Sequence, residues 1–232
     1  MKIKILFFCA VMSVISAQAQ TVRLQGGINL ANVSVTNNGK VDEAKMLSSF
    51  QVGIIGDAHL VSLLHLQAGL LYTGKGTKTQ SGDPASLNYS KATTNPFYIE
   101  LPVNFLVKAP LGSGNHSSEN SFFVGAGPYL AVGINGKMTN EGKVAGVSYS
   151  NEKNIEFSND DPTTLNYDEG AGFGIMRRFD YGLNGTVGIE GKSLVLSASY
   201  GLGLAKLQSG SNSAEDNNNK HRVLSFTLGF KL

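Results

Sequence analysis

Residues 222–232 read R-V-L-S-F-T-L-G-F-K-L. Leu224, Phe226, Leu228, Phe230 and Leu232 share one parity; Val223, Ser225, Thr227, Gly229 and Lys231 share the other. Successive side chains of a strand point to opposite faces, so the alternation predicts a strand with two unlike sides. One side is continuously apolar and carries aromatic rings; the other is small or polar. A soluble sandwich strand can show the same pattern. Here it stands at the end of a chain that begins like a secreted protein. An amphipathic final strand of this kind is expected to close a membrane barrel.

The opening residues set the expected compartment. Lys2 and Lys4 precede a mostly apolar run from Ile5 to Ile15, and Ala17-Gln18-Ala19 has the small-x-small form of a cleavage site. These features predict a signal peptide over residues 1–19, with residue 20 as the alternative last residue, and a single domain over 20–232. The apolar run is too short for a membrane helix, and no other segment has roughly 18 unbroken apolar residues. Cys9 is the only cysteine and lies inside the run, where a lipoprotein anchor is not expected. Without it the secreted chain has no disulfide or thiol chemistry. Cleavage also removes Lys2 and Lys4 and no acid, so the formal charge of +2 falls to zero. No basic surplus remains to suggest a nucleic-acid partner.

Eight alternating segments follow, at about 22–35, 49–58, 64–75, 95–108, 121–135, 178–190, 193–207 and 222–232. Their apolar parities are bulky, as in Phe97, Ile99, Leu101, Val103, Phe105 and Val107, or Leu194, Leu196, Ala198, Tyr200, Leu202 and Leu204. The opposite parities are mostly Gly, Ser, Thr, Asn and Gln. Most segments exceed the 9–11 residues that a tilted transmembrane strand needs. The links alternate in kind. Residues 59–63 and 190–193 are short and 109–120 is longer, whereas 36–48, 80–94, 136–177 and 208–220 are long and polar. Short turns on one rim and long loops on the other predict an eight-stranded antiparallel up-and-down transmembrane barrel, long loops outside and both termini in the periplasm. The alternative is a secreted soluble carrier of lipocalin type, whose polar faces would meet water. A solvent face normally carries more Lys and Glu than these do.

V-R-L-Q-G-G-I-N-L-A-N-V at 22–33 resembles the opening strand of the PorT-like outer-membrane barrel family of Bacteroidota, with Ala31 where the family often has Ser. L-Q-A-G-L-L-Y-T-G-K-G at 66–76, Y-I-E-L-P-V at 98–103 and V-G-A-G-P-Y-L at 124–130 resemble later strands in order. The segments 179–190 and 196–204 resemble its last hairpin. The resemblance implies an eight-stranded outer-membrane barrel and little biochemistry. It implies outer-membrane lipids as surroundings and envelope or secretion-system proteins as candidate partners.

The polar parity holds Arg23, Asp57, His65, Lys75, Glu100, Lys108, Arg178, Asp180, Glu190 and Lys231. The lumen of eight strands is just wide enough for side chains to fill, and charges there must be paired or hydrated. Arg23, Asp57, Glu100, Arg178, Asp180 and Lys231 are therefore candidate interior ion-pair formers. In the long link, the runs 144–150 and 154–157 are expected to pair as an exposed hairpin, with Tyr149 and Phe157 as outer contact residues. A lipid-modifying enzyme of the outer leaflet is the catalytic alternative. It would use His221 with Ser209, Ser211, Glu215 or Asp216, which are triad residue types in or beside one loop. No His or Cys spacing suggests a metal, and T-G-K-G-T-K lacks the spacing of a phosphate loop. No cofactor is expected.

Overall fold

A computed structural model describes residues 21–34, 43–111, 120–158, 175–207 and 220–232. The expected signal peptide and the loop residues Ser209, Ser211, Glu215 and Asp216 lie outside the described residues. The elements are all strands: β1 (Thr21–Ser34), β2 (Glu43–Lys45), β3 (Leu47–Val61), β4 (Leu64–Gly74), β5 (Thr77–Ser81), β6 (Tyr89–Pro110) and β7 (Ser121–Val144). They continue with β8 (Val147–Asn154), β9 (Glu156–Phe157), β10 (Ile175–Met176), β11 (Phe179–Glu190), β12 (Leu194–Gly203) and β13 (Lys220–Lys231).

The antiparallel order β6-β4-β3-β1-β13-β12-β11-β7 returns on itself because β6 also pairs with β7. The result is a ring of eight strands. β1 sits between β3 and β13, with Gly26 opposite both Val52 and Leu228. Each strand is sorted by its own alternation. Leu24, Ile28, Phe226, Leu228 and Phe230 point out and are exposed, whereas Arg23, Gln25, Asn29, Ser225 and Thr227 point in and are buried. The ring is thus apolar outside and polar inside, the reverse of a water-soluble barrel.

Its two ends differ. At the turn end, β3 and β4 join through Ser62-Leu63, and β11 and β12 through residues 191–193. The termini of β1 and β13 lie here, with Arg23 opposite Lys231. At the other, loop end, β6 and β7 run on beyond the ring. Tyr89–Asn95 pairs with Lys137–Lys143, β5 adds to one side and β8 to the other. Together with β2 this makes a projecting sheet. Much of what the sequence reading left as loop at 80–94 and 136–177 is therefore strand. The expected hairpin is also corrected. The run 144–150 does not pair with 154–157. It contains a tight turn at Ala145-Gly146, and β8 folds back on the end of β7, with Val144 opposite Val147. Both turn residues have positive φ, 50° and 83°. That is the two-residue turn whose twist suits a hairpin.

These outer strands have little alternation because, apart from Met138 and Gly142, their residues stay at least partly exposed. Cross-strand pairing holds them instead: Lys91 Nζ lies 2.9 Å from Glu141 Oε2, and Lys137 Nζ lies 2.6 Å from Glu152 Oε1. β9 and β10 form a short parallel pair, with Phe157 opposite Met176.

Candidate functional site

The polar parities converge inside the ring, and β6 measures their depth. From the loop end it turns Tyr98, Glu100, Pro102, Asn104, Leu106 and Lys108 inward in succession, all buried. Above Tyr98 the mouth is filled by Val33, Met138, Ile155, Met176 and Leu207. Phe157 lies partly buried beneath this cluster. Its ring meets that of Tyr98 edge-on at 5.6 Å, and it lies so close over Gly133 that a Cβ there would overlap it. The residue expected as an outer contact is thus placed at the mouth of the ring. Tyr149, on β8, is 42% exposed, with its hydroxyl 3.5 Å from Ser90 Oγ.

Next comes a buried ion triad. Lys75 Nζ lies 2.7 Å from Glu100 Oε2 and 2.9 Å from Asp180 Oδ2. The same ammonium sits 3.8 Å from the centroid of the Tyr129 ring, and the Tyr129 hydroxyl donates to Asp180 Oδ2 at 3.1 Å. Asn184 donates to Glu100 Oε1 at 3.2 Å. The Tyr129 ring fits because Gly182 of β11 leaves room beneath it. Three segments far apart in sequence therefore place one cation between two carboxylates, and the Tyr129 and Asn184 hydrogen bonds add to the pairing that burial in a low dielectric requires.

The middle is uncharged and hydrogen-bonded. Asn29 donates to Thr73 Oγ1 at 2.8 Å and accepts from Ser225 at 2.8 Å. Ser199 donates to Thr186 at 2.9 Å. The open space left among these groups is a cavity of about 50 Å³. Toward the turn end, Leu106, Phe123 and Val195 form an apolar layer.

A second ionic belt lies below it. Lys108 Nζ is 3.0 Å from Asp57 Oδ2 and 2.6 Å from Glu190 Oε2, Lys231 Nζ is 2.5 Å from Glu190 Oε1, and His65 Nδ1 is 2.8 Å from Asp57 Oδ1. Arg23 is buried near Asp57 and Glu190 and donates to Gln25 Oε1 at 3.3 Å. Inside the ring, Arg23, Lys75, Lys108 and Lys231 face Asp57, Glu100, Asp180 and Glu190, four cations to four carboxylates. Five of the six ion-pair candidates, namely Arg23, Asp57, Glu100, Asp180 and Lys231, are in these two groups. Arg178 is not. It precedes the first residue of β11, so the strand's alternation does not reach it; it is exposed at the rim and donates to the Phe157 carbonyl at 2.9 Å. Sequence reasoning missed Tyr98 and Tyr129 as polar partners. Their inward parity was visible, but which groups they would meet was not.

The chain matches the outer membrane protein beta-barrel domain family over residues 17–209. It belongs to that family. Three solved structures are similar to this outer-membrane barrel domain. Ail, the attachment invasion locus protein of Yersinia pestis, is 12% identical, covers 91% of this chain and 98% of its own, and has a TM-score of 0.38. The values for Neisserial surface protein A are 11%, 91%, 97% and 0.41. Those for OprG from Pseudomonas aeruginosa are 12%, 93%, 97% and 0.39. No curated protein matches the chain.

His221, the residue on which a catalytic reading depends, is 1% exposed. Its Nε2 lies 3.3 Å from the Tyr98 hydroxyl, and the two rings meet edge-on at 5.5 Å. A histidine so enclosed cannot take a proton from a nucleophile attacking a lipid outside the ring. Among the described residues, no three His, Cys, Asp or Glu side chains gather as metal ligands.

Proposed function

We propose that this outer-membrane protein is an eight-stranded, up-and-down transmembrane barrel with a plugged lumen. On this reading it is a non-enzymatic envelope component or surface- or secretion-associated factor, resembling PorT-like proteins, with its projecting sheet at the cell surface. The observation that carries it is the outward face. From Phe179 to Ile189 on β11, from Leu194 to Leu202 on β12 and from Leu224 to Leu232 after it, the outward parity holds no charged side chain. The β11 stretch, at about 3.3 Å per residue and tilted by roughly 40°, spans about 28 Å, enough to cross the roughly 25 Å apolar band of such barrels. Aromatic rings collect near its edges. Phe50, Tyr72 and Phe97 cluster at the loop end, with Tyr72 stacked on Phe97 at 5.0 Å, and Phe105, Phe122 and Phe230 lie toward the turn end. A soluble carrier fits poorly, because ligand pockets run to roughly 300 Å³ or more and the interior cavity is about 50 Å³.

The orientation follows from the ends. Residues 1–19 are a signal peptide, the turn end and both mature termini face the periplasm, and the projecting sheet stands outside. At its tip Leu87, Val144, Val147 and Tyr149 are exposed together. This apolar tip, with Tyr149, is the surface offered to an envelope or secretion-system protein, while Phe157 seals the mouth. Protease treatment of intact cells tests the arrangement. Cleavage between residues 136 and 177, with a protected membrane fragment remaining, is the expected result. Cleavage confined to the turns at 62–63 or 191–193 would mean the barrel is inverted, and recovery in the soluble fraction would end the membrane reading.

A further inference from the structure

The outer wall of the ring at the loop end holds a hollow of about 540 Å³ lined by Arg177, Phe179, Tyr181, Leu204, Ala205, Lys206 and Lys220. It has two halves. Phe179, Tyr181 and Leu204 are 57%, 51% and 41% exposed and continue the apolar outer face. Arg177, Lys206 and Lys220 stand just beyond the point where that face ends, where β11 begins, β12 has ended and β13 begins. Among the described residues none of these three cations has a carboxylate partner. Elsewhere at the same end Lys91 is matched by Glu141 and Lys137 by Glu152. Among the described residues, positive charge thus gathers without a carboxylate at one place on the rim, directly above an apolar wall.

The geometry points to a binding site for a phosphorylated lipid of the leaflet that meets this rim. The inference rests on the proposed membrane orientation. Phosphate oxygens would accept from the Arg177 guanidinium and the Lys206 and Lys220 ammonium groups, and Arg offers the forked donors that suit a phosphate. An acyl chain would lie against Phe179, Tyr181 and Leu204. Long basic side chains commonly reach up to headgroups at a membrane edge. What distinguishes this place is that three converge over one hollow with an aromatic floor. An acidic protein segment would use the same charges but would gain nothing from an apolar half sunk in the membrane.

Native mass spectrometry of the full barrel, extracted in a neutral sugar detergent, tests this directly. The probes are bisphosphorylated lipid A, its dephosphorylated form, and phosphatidylcholine. The wild type should retain the bisphosphorylated lipid, and Arg177→Gln/Lys206→Gln/Lys220→Gln should lower that retention by at least about tenfold, given the attraction of each basic group for an anionic surface. Lys91→Gln, remote from the hollow, should leave it unchanged. Tyr181→Ser should weaken retention without altering the preference for phosphate. The replaced groups are exposed or at the rim, so each variant should keep the heat-dependent gel mobility of a folded barrel. Equal retention by the triple variant, or equal retention of the dephosphorylated lipid by the wild type, would overturn the site. Displacement by an acidic peptide but not by the phosphorylated lipid would also overturn it, in favour of a protein partner. Membrane fractionation of the same preparation separates this failure from failure of the barrel reading. A protein that fractionates with membranes but shows no phosphate preference refutes only the lipid site.

Discussion

Lys75 shows what single residues do in this interior. Its ammonium satisfies Glu100 and Asp180 at once, at 2.7 and 2.9 Å, and lies over the Tyr129 ring. Removing it leaves two carboxylates buried with no counter-charge. Breaking a buried ion pair on one side costs about 3–5 kcal/mol, so Lys75→Met should lower the midpoint of urea unfolding followed by gel mobility. The variant Lys75→Met/Glu100→Gln/Asp180→Asn removes all three charges and should recover most of the loss. If the single and triple variants unfold alike, the triad is not a coupled unit. Arg178 is the contrasting case. Counted on strand parity it belongs inside, but β11 begins only at Phe179, and the side chain turns to the Phe157 carbonyl instead.

At the scale of elements, the β7–β8 hairpin is held by its ladder and its turn rather than by burial, since every residue of β8 is exposed. Ala145 occupies a left-handed position, φ 50°, where an L residue is disfavoured by about 1–2 kcal/mol. Ala145→Gly should relieve part of that cost, and Ala145→Val should add to it. Amide hydrogen exchange across 138–153 would read both, with slower exchange in the first and faster in the second. Unchanged exchange in both variants would mean the turn does not limit hairpin opening. The sequence hid this element for a physical reason. Residues such as Ser90, Lys91, Thr93, Asn140 and Glu141 face water or one another, so no apolar period marks them.

For the whole molecule, the decisive property is which side of the ring meets lipid. Leu228 points out and Thr227 points in, where its hydroxyl lies 2.6 Å from Ser197 Oγ. Arg at the bilayer midplane of a barrel costs about 2–4 kcal/mol. Leu228→Arg should therefore reduce assembly into the outer membrane. Thr227→Arg should assemble but unfold more easily, because it crowds a filled interior. Heat-modifiable mobility in membrane fractions would distinguish them. Normal assembly of Leu228→Arg together with loss of Thr227→Arg would reverse the two faces.

By itself the sequence determined the strands of the ring and their sidedness. Leu224, Phe226 and Leu228 alternate with Val223, Ser225 and Thr227, and a period of two assigns each side chain to a face without knowledge of any partner. That local rule also placed Glu100, Asp180 and Lys231 inside. Only the tertiary structure decided the rest. Lys75, Glu100 and Asp180 lie on different segments, and strand pairing alone brought them within 3 Å. Phe157 reached the mouth, and Arg177, Lys206 and Lys220 came together on the rim, through chain reversals that no periodicity encodes. Alternation reports the face on which a side chain lies. Its neighbours depend on which strands pair and in what register, and that is a property of the assembled sheet.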